Sequence, residues 1–312
     1  MTDTPRLPFG TPLLVVNPRA GRGDQQVLER LVAALHARGV EPVIARTTRA
    51  GDAGPMAREA VQSGRRFVVG VGGDGTVHEI VNGLIDAETG EVFGDEPVLG
   101  VVGAGSGCDL MRTFGLDRSP EVLADHLLTG DTMMIDLGRA RTTQPDGSVQ
   151  VRLFANVAEA GYGGTVTHLA NRLPRRLGRA RYAAAIVGSA PSFRRVTATV
   201  TVDNGTVTEP MSNVVIANGQ FFGGGLKVAP RALPTDGRFN VQTWGGRPVD
   251  VLLAQPQLRH GTHLRRDDVR EWQSQTVVVD AEGPLRVEAD GEVLGTSPAS
   301  FDMLPGALRL KI

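Results

Sequence analysis

Arg66-Phe67-Val68-Val69-Gly70-Val71-Gly72-Gly73-Asp74-Gly75-Thr76-Val77-His78-Glu79 runs from an apolar, β-branched stretch into a glycine cluster and on into a helical pattern. A strand that ends on glycines and continues directly as a helix is the turn of a parallel α/β unit. Glycines there let backbone N–H groups approach phosphate oxygens, and the start of the following helix adds a partial positive charge. The plainer reading is a tight strand-to-helix turn with Asp74 as its cap.

Working outward, residues 13–17, 42–46, 66–71 and 98–102 read as strands, while 25–38, 52–63 and 76–86 carry apolar residues at helical spacing. This alternation predicts a parallel sheet with right-handed crossovers, whose strand ends share one edge. Asn17-Pro18-Arg19-Ala20-Gly21 follows the first strand, and Gly103-Ala104-Gly105-Ser106-Gly107-Cys108-Asp109 follows the fourth. Three such loops on one edge suit a polyphosphate. Gly70, Gly72 and Gly75 also satisfy G-x-G-x-x-G, but the next strand runs into Gly103 where a dinucleotide site needs an acid for the ribose. The two lysines, Lys227 and Lys311, stand outside any Gly-x-x-x-x-Gly-Lys loop, so a Walker A site is excluded.

After Asp136 the texture becomes mainly β, and a domain boundary is placed near residue 137: residues 1–137 as an α/β nucleotide-binding domain and 138–312 as a mainly β domain, with the last strand a candidate to return to the first. Strands are expected at 194–202 and 207–217 around Asp203-Asn204-Gly205, a hairpin cue, and at 238–244, 276–280 and 285–289. Helical segments are expected at 165–181 and 248–260. The 312 residues carry 41% hydrophobic and 21% charged side chains with a formal net charge of -1. That balance supplies no global field for nucleic acid or an acidic membrane. One cysteine excludes a disulfide framework and a Cys-rich zinc site, and neither a secretory leader nor a run of about 20 apolar residues is visible, so a cytoplasmic location is expected.

Further motifs lie in the second half: Ile135-Asp136-Leu137-Gly138, Phe154-Ala155-Asn156-Val157, Ala217-Asn218-Gly219 through Phe222-Gly223-Gly224-Gly225, Ala229-Pro230, Thr235-Asp236-Gly237, Asp290-Gly291-Glu292 and Leu304-Pro305-Gly306. Together with the three N-terminal loops they make the chain resemble the diacylglycerol kinase catalytic family, which includes bacterial lipid kinases and sphingosine and ceramide kinases. The resemblance implies an α/β nucleotide domain of the kind shared with NAD kinases and phosphofructokinases, followed by a β-sandwich. It implies ATP bound by Asn17, Pro18, Arg19, Ala20, Gly21, Thr47, Gly72, Gly73, Asp74, Gly75, Thr76, Glu79 and Ser106. Asp290 or Glu292 would be the catalytic base, and Asp236 would hold Mg2+ with the backbone carbonyls of Leu233 and Arg238. Asp74, Asp109 and Asp136 would form a carboxylate and water network near the metal. Where the family has Pro-x-Gly-Thr-x-Asn-Asp, this chain has Gly103, Ser106 and Cys108 in place of Pro, Thr and Asn.

The implied activity is ATP-dependent phosphorylation of a hydroxyl on diacylglycerol or a related lipid, by an enzyme that visits the membrane surface transiently. A kinase of a soluble substrate such as NAD, and a non-catalytic nucleotide- or lipid-binding protein, are the alternatives. Phosphoryl transfer asks for charge neutralisation, in-line positioning and an acceptor for the alcohol proton, which suits a chain almost without lysine. Arg172, Arg175, Arg176, Arg179 and Arg181 form the densest basic cluster, read as a solvated helix face ahead of a surface for anionic lipid. Cys108 reads as a small buried hydrophobe, and His260 and His263 as surface residues in preference to a zinc pair.

Overall fold

The computed structural model describes residues 7–18, 22–103, 108–116, 118–174, 177, 180–191 and 193–312. The chain divides into two compact units, Met1–Ile135 with Gly306–Ile312, and Asp136–Pro305.

The first unit alternates β1 (Leu13–Val16), α1 (Arg22–His36), β2 (Val43–Arg46), α2 (Ala53–Gln62), β3 (Phe67–Gly72), α3 (Asp74–Leu84), β4 (Val98–Gly103), α4 (Asp109–Thr113) and α5 (Pro120–Leu128). The strands are parallel in the order β2-β1-β3-β4, and Arg309 and Leu310 add a further parallel partner against Val98 and Leu99. Leu14, Val15, Val68, Val69, Val98 and Leu99 are wholly buried, which is why these strands read as unbroken apolar runs: helices cover both faces of such a sheet. Helix α5 lay outside the sequence reading although its start is signalled, with Ser119 as N-cap accepting the Val122 N–H and Pro120 in the first turn. Helices α2 and α3 meet backbone to backbone, since a Cβ on Gly83 would lie 2.2 Å from the Gly54 carbonyl oxygen.

The second unit begins within β5 (Thr132–Thr143) and continues through β6 (Val149–Phe154), β7 (Val157–Gly161), α6 (Tyr162–Arg172), α7 (Ala180–Ser189), β8 (Val196–Val202), β9 (Gly205–Met211), β10 (Asn213–Ala217), β11 (Phe239–Trp244), α8 (Pro248–Leu253), α9 (Gln255–His260), β12 (Val269–Ser274), β13 (Thr276–Ala281), β14 (Arg286–Ala289) and β15 (Glu292–Lys311). Two antiparallel ladders share β15. One runs β12-β11-β10-β7-β14-β15, the other β9-β8-β13-β15-β5-β6. Their inner faces form one apolar core in which Phe154 stacks on Phe239 at 5.7 Å and meets Phe301 edge-on at 6.4 Å. This is a β-sandwich. Each of these fully buried rings contributes about 1.5–3 kcal/mol.

Three expectations are corrected. The strand expected over 207–217 is two, because at Ser212 the chain leaves β8 for the other ladder, where the Ser212 carbonyl accepts from Tyr162 N–H and its own N–H donates to the Trp244 carbonyl. The helices expected at 165–181 and 248–260 are each two; Pro174 follows the end of α6 and cannot continue it. His263 is not on the surface: it is wholly buried and stacked on Trp244 at 5.4 Å, with Nε2 3.3 Å from Gln242 Oε1, and burial lowers its basicity.

Gly138 explains one motif through packing alone, because a Cβ there would lie 2.1 Å from the Phe154 ring. Gly138→Ala is expected to cost about 1–3 kcal/mol by overpacking. A urea titration reads this as a lower midpoint at unchanged slope, and an unshifted midpoint would refute it.

Candidate functional site

In the first unit, parallel register aligns Val16 with Val71 and Gly72 with Gly103, so the three glycine-rich loops leave the sheet at one edge. Gly73 is the N-cap of α3 in extended conformation, φ -99° and ψ -171°, and its carbonyl accepts the N–H groups of Thr76 and Val77. A helix start directs N–H groups outward, the arrangement a phosphate oxygen satisfies, although in α3 the Thr76 N–H already donates to Gly73. Gly72 has a packing reason of its own: a Cβ there would sit 2.5 Å from Thr76 Oγ1, so the glycine makes room for a buried threonine.

Asp74 does not cap its own helix. Its Oδ1 accepts the Asp109 N–H at 2.7 Å, joining the loop after β3 to the loop after β4. Asp109 is 2% exposed and pairs with Arg112 at 2.5 Å. Cys108, beside them, is buried, and burial followed by the charge of Asp74 holds its thiol well above its ordinary range, which disfavours a reactive thiolate.

Glu79 has a role in the scaffold. Its two carboxylate oxygens accept the N–H groups of Gly51 and Ala53, at 2.8 and 3.0 Å, anchoring the start of α2 to α3. Thr47 is buried, and its N–H extends the β1–β2 ladder to the Val16 carbonyl. Asn17 donates its N–H to the Val71 carbonyl, and Pro18 is exposed. Arg19, Ala20, Gly21 and Ser106 lie outside the described residues, as do Arg175, Arg176 and Arg179 of the basic cluster.

In the second unit, motifs spread along the chain converge on one hydrogen-bonded network. Asp290 closes the β14–β15 hairpin with Gly291; Ala289 pairs with Glu292, and φ is +50° at Asp290 and +87° at Gly291, the geometry of a type I′ turn. The Asp290 carboxylate accepts three successive backbone N–H groups, from Ala155 at 2.9 Å, Asn156 at 3.0 Å and Val157 at 3.1 Å, and its own N–H donates to the Val157 carbonyl at 2.9 Å. Asn218 Nδ2 bridges the carbonyls of Asp136 and Ala155, both at 2.8 Å, while the N–H groups of Asn218 and Gly219 donate to the Asn156 carbonyl. Asp136 Oδ2 accepts the Gly237 N–H at 2.7 Å, and its own N–H donates to Pro234. Asn156 and Asn218 were not among the expected site residues, although both stand in the quoted motifs.

Asn156 Oδ1 and Asn218 Oδ1 are buried without a donor, a costly state that water or a hard cation relieves. The groups that the resemblance assigns to Mg2+, Asp236 and the carbonyls of Leu233 and Arg238, are all oxygen donors, the chemistry Mg2+ prefers. Within the turn the Leu233 carbonyl already accepts from Thr235 and Asp236, and Asp236 Oδ1 from Arg238 N–H at 3.0 Å. Among the described residues no group of three or more His, Cys, Asp or Glu is placed to hold a metal ion; a site with one carboxylate and two carbonyls is a different kind.

Residues 11–140 match the diacylglycerol kinase catalytic domain, and residues 156–312 match the YegS C-terminal NAD kinase beta sandwich-like domain. A diacylglycerol kinase of Mycobacterium tuberculosis (strain ATCC 25618 / H37Rv) is 30% identical over 308 residues, spanning 97% of this chain and 95% of that one. A diacylglycerol kinase of Bacillus subtilis (strain 168) is 26% identical, over 92% and 91% of the two chains. In fold, a putative diacylglycerol kinase from Bacillus anthracis str. Sterne superposes with a TM-score of 0.76 at 22% identity, covering 97% of each chain. Yeast NADH kinase gives 0.51 at 10% identity over 94% and 78%, a distant likeness of fold. With a relative 30% identical along nearly its whole length and a domain matched in each half, the chain belongs to the diacylglycerol kinase catalytic family.

Proposed function

We propose that the protein is an ATP-dependent lipid kinase that transfers the γ-phosphoryl group to a hydroxyl of diacylglycerol or a related lipid. The observation that carries this reading is the hydrogen-bonded network that links Gly237, Asp136, Asn218 and Asn156 to Asp290, in the turn next to Glu292. The names of the M. tuberculosis and B. subtilis relatives support the acceptor class.

Asp290 and Glu292 take different roles. A carboxylate has about four lone-pair sites, and Asp290 spends three on the amides of residues 155–157, so it shapes the turn. Glu292 is exposed beside that turn and accepts the proton of the lipid hydroxyl as it attacks. Asp74, Gly73 and the start of α3 hold the phosphates of ATP. Asp236 with the carbonyls of Leu233 and Arg238 would hold Mg2+, which when bound supplies positive charge that lysine does not. No helix among the described residues is long and apolar enough to cross a membrane, so the lipid is taken from the bilayer surface. Helix α7 suits that contact, with Ala183, Ala184 and Val187 exposed beside Arg181.

Labelled ATP supplied with a total lipid extract, and separately with NAD, tests the acceptor: label should enter chloroform-soluble product, and label in NAD alone would refute the lipid reading. Asp74→Ala is expected to lose measurable ATP affinity by calorimetry with the fold intact; parent-like binding would remove Asp74 from the nucleotide site. Glu292→Gln should leave ATP binding and stability intact while kcat falls about 10²–10⁴-fold. Asp290→Asn should instead lower stability, by about 1–3 kcal/mol for the mismatched buried donors. Reversal of these two patterns would make Asp290 the base.

A further inference from the structure

Two buried acids adjoin the Asp290-Gly291 turn and have no part in the chemistry above. Glu159 on β7 and Glu288 on β14 are register partners, each 4% exposed. Two buried carboxyls side by side cannot both ionise without like-charge repulsion, which favours a proton shared by the pair. Glu159 Oε1 also accepts from Asn213 Nδ2 at 2.7 Å, and its Oε2 lies 2.1 Å from where a Cβ on Gly163 would be, so the start of α6 packs directly on it. Glu288 Oε2 accepts the Gly291 N–H at 2.9 Å. Glu288 also sits where the β14–β15 register shifts, between Val287 and Glu288, and an irregularity of this kind re-aims the residues beyond it.

We propose that Glu288, braced by Glu159 and Asn213, is a positioning residue that fixes the Gly291 amide and so aims Glu292 at the lipid hydroxyl. The role of Glu292 rests on the lipid kinase reading; the bracing of the turn does not. Asp290 is held from one side by the amides of residues 155–157, and Gly291 from the other by Glu288, so both central residues of the turn are tied. Burial pushes the Glu159 carboxyl up to about 7, and burial followed by the charge of Glu159 pushes Glu288 well above its ordinary range. The other charge felt at Glu288 is that of Asp290; along α6 the next titratable group, His168, faces Arg286 at 3.4 Å.

The test compares Glu288→Ala and Glu288→Gln by amide hydrogen exchange and by turnover on phosphatidylglycerol vesicles carrying diacylglycerol. Glu288→Ala should speed exchange in residues 286–293 alone and lower kcat about 10²-fold, the scale of a small misplacement, with KM for ATP unchanged. Glu288→Gln, which still offers Gly291 an acceptor and Glu159 a donor, should restore both. Parent-like exchange and turnover in Glu288→Ala overturn the proposal, and so does a general loss of protection with kcat and KM moving together and no rescue by glutamine. If the parent labels no lipid, the kinase reading fails while exchange still decides whether Glu288 holds the turn.

Glu159→Gln tests the shared proton. Because the folded pKa is raised, the pair's stabilisation is complete below the ordinary carboxylate range and is lost as pH rises through about 7. The parent's unfolding midpoint should therefore fall over that window and the variant's should fall less; identical pH dependence would refute a shared proton.

Discussion

Three backbone N–H groups donated to one carboxylate organise the second unit. Ala155, Asn156 and Val157 follow the end of β6, where the chain turns into β7, and their amides would otherwise face the interior without partners. Asp290 satisfies all three, and the hydrogen bonds to a charged acceptor are worth about 1.5–3 kcal/mol each. That gain outweighs the left-handed backbone of Asp290 at φ +50°, which costs a residue with a side chain about 1–2 kcal/mol. The same segment supplies the carbonyls that Asn218 and Gly219 bind, and through Asp136 the network reaches the turn at 233–238. A change at any one of these residues leaves a buried polar group unmatched somewhere else.

The first unit solves a different problem. Its central strands β1, β3 and β4 bury both faces, so polar chemistry there is confined to the strand ends, where the glycines lie. Those glycines do not all serve a ligand. Gly72 accommodates Thr76, and within the helices Gly54 and Gly83 let α2 and α3 touch. Glu79 and Asp74 each join two segments: one ties α2 to α3, the other ties the β3 loop to the β4 loop.

Much of the architecture was legible because it depends on short-range pattern. Apolar runs of parallel-strand length at β1, β3 and β4, helical spacing in α1 to α3, and the Asp203-Asn204 hairpin each report a local period or turn preference. Where the reading failed, long-range pairing had overridden it. Residues 207–217 read as one strand, yet Ser212 hands the chain from one ladder to the other. His263, in a polar stretch of sequence, is buried because Trp244 on a distant strand stacks on it.

The motifs alone sufficed for the family and for the pool of candidate residues, since glycines, aspartates and asparagines at fixed positions in short turns are local signatures. What distinguishes the members of that pool is their tertiary surroundings. Asp290 and Glu292 are chemically alike and two residues apart, and what separates them is that residues 155–157 point their amides at one and leave the other exposed. Glu159 and Glu288 carry no sequence signal as a pair, because they stand 129 positions apart and meet only through the β7–β14 register. Hydrogen-bond partners and burial depend on which segments pair across the sheet, and one segment read alone does not contain that pairing.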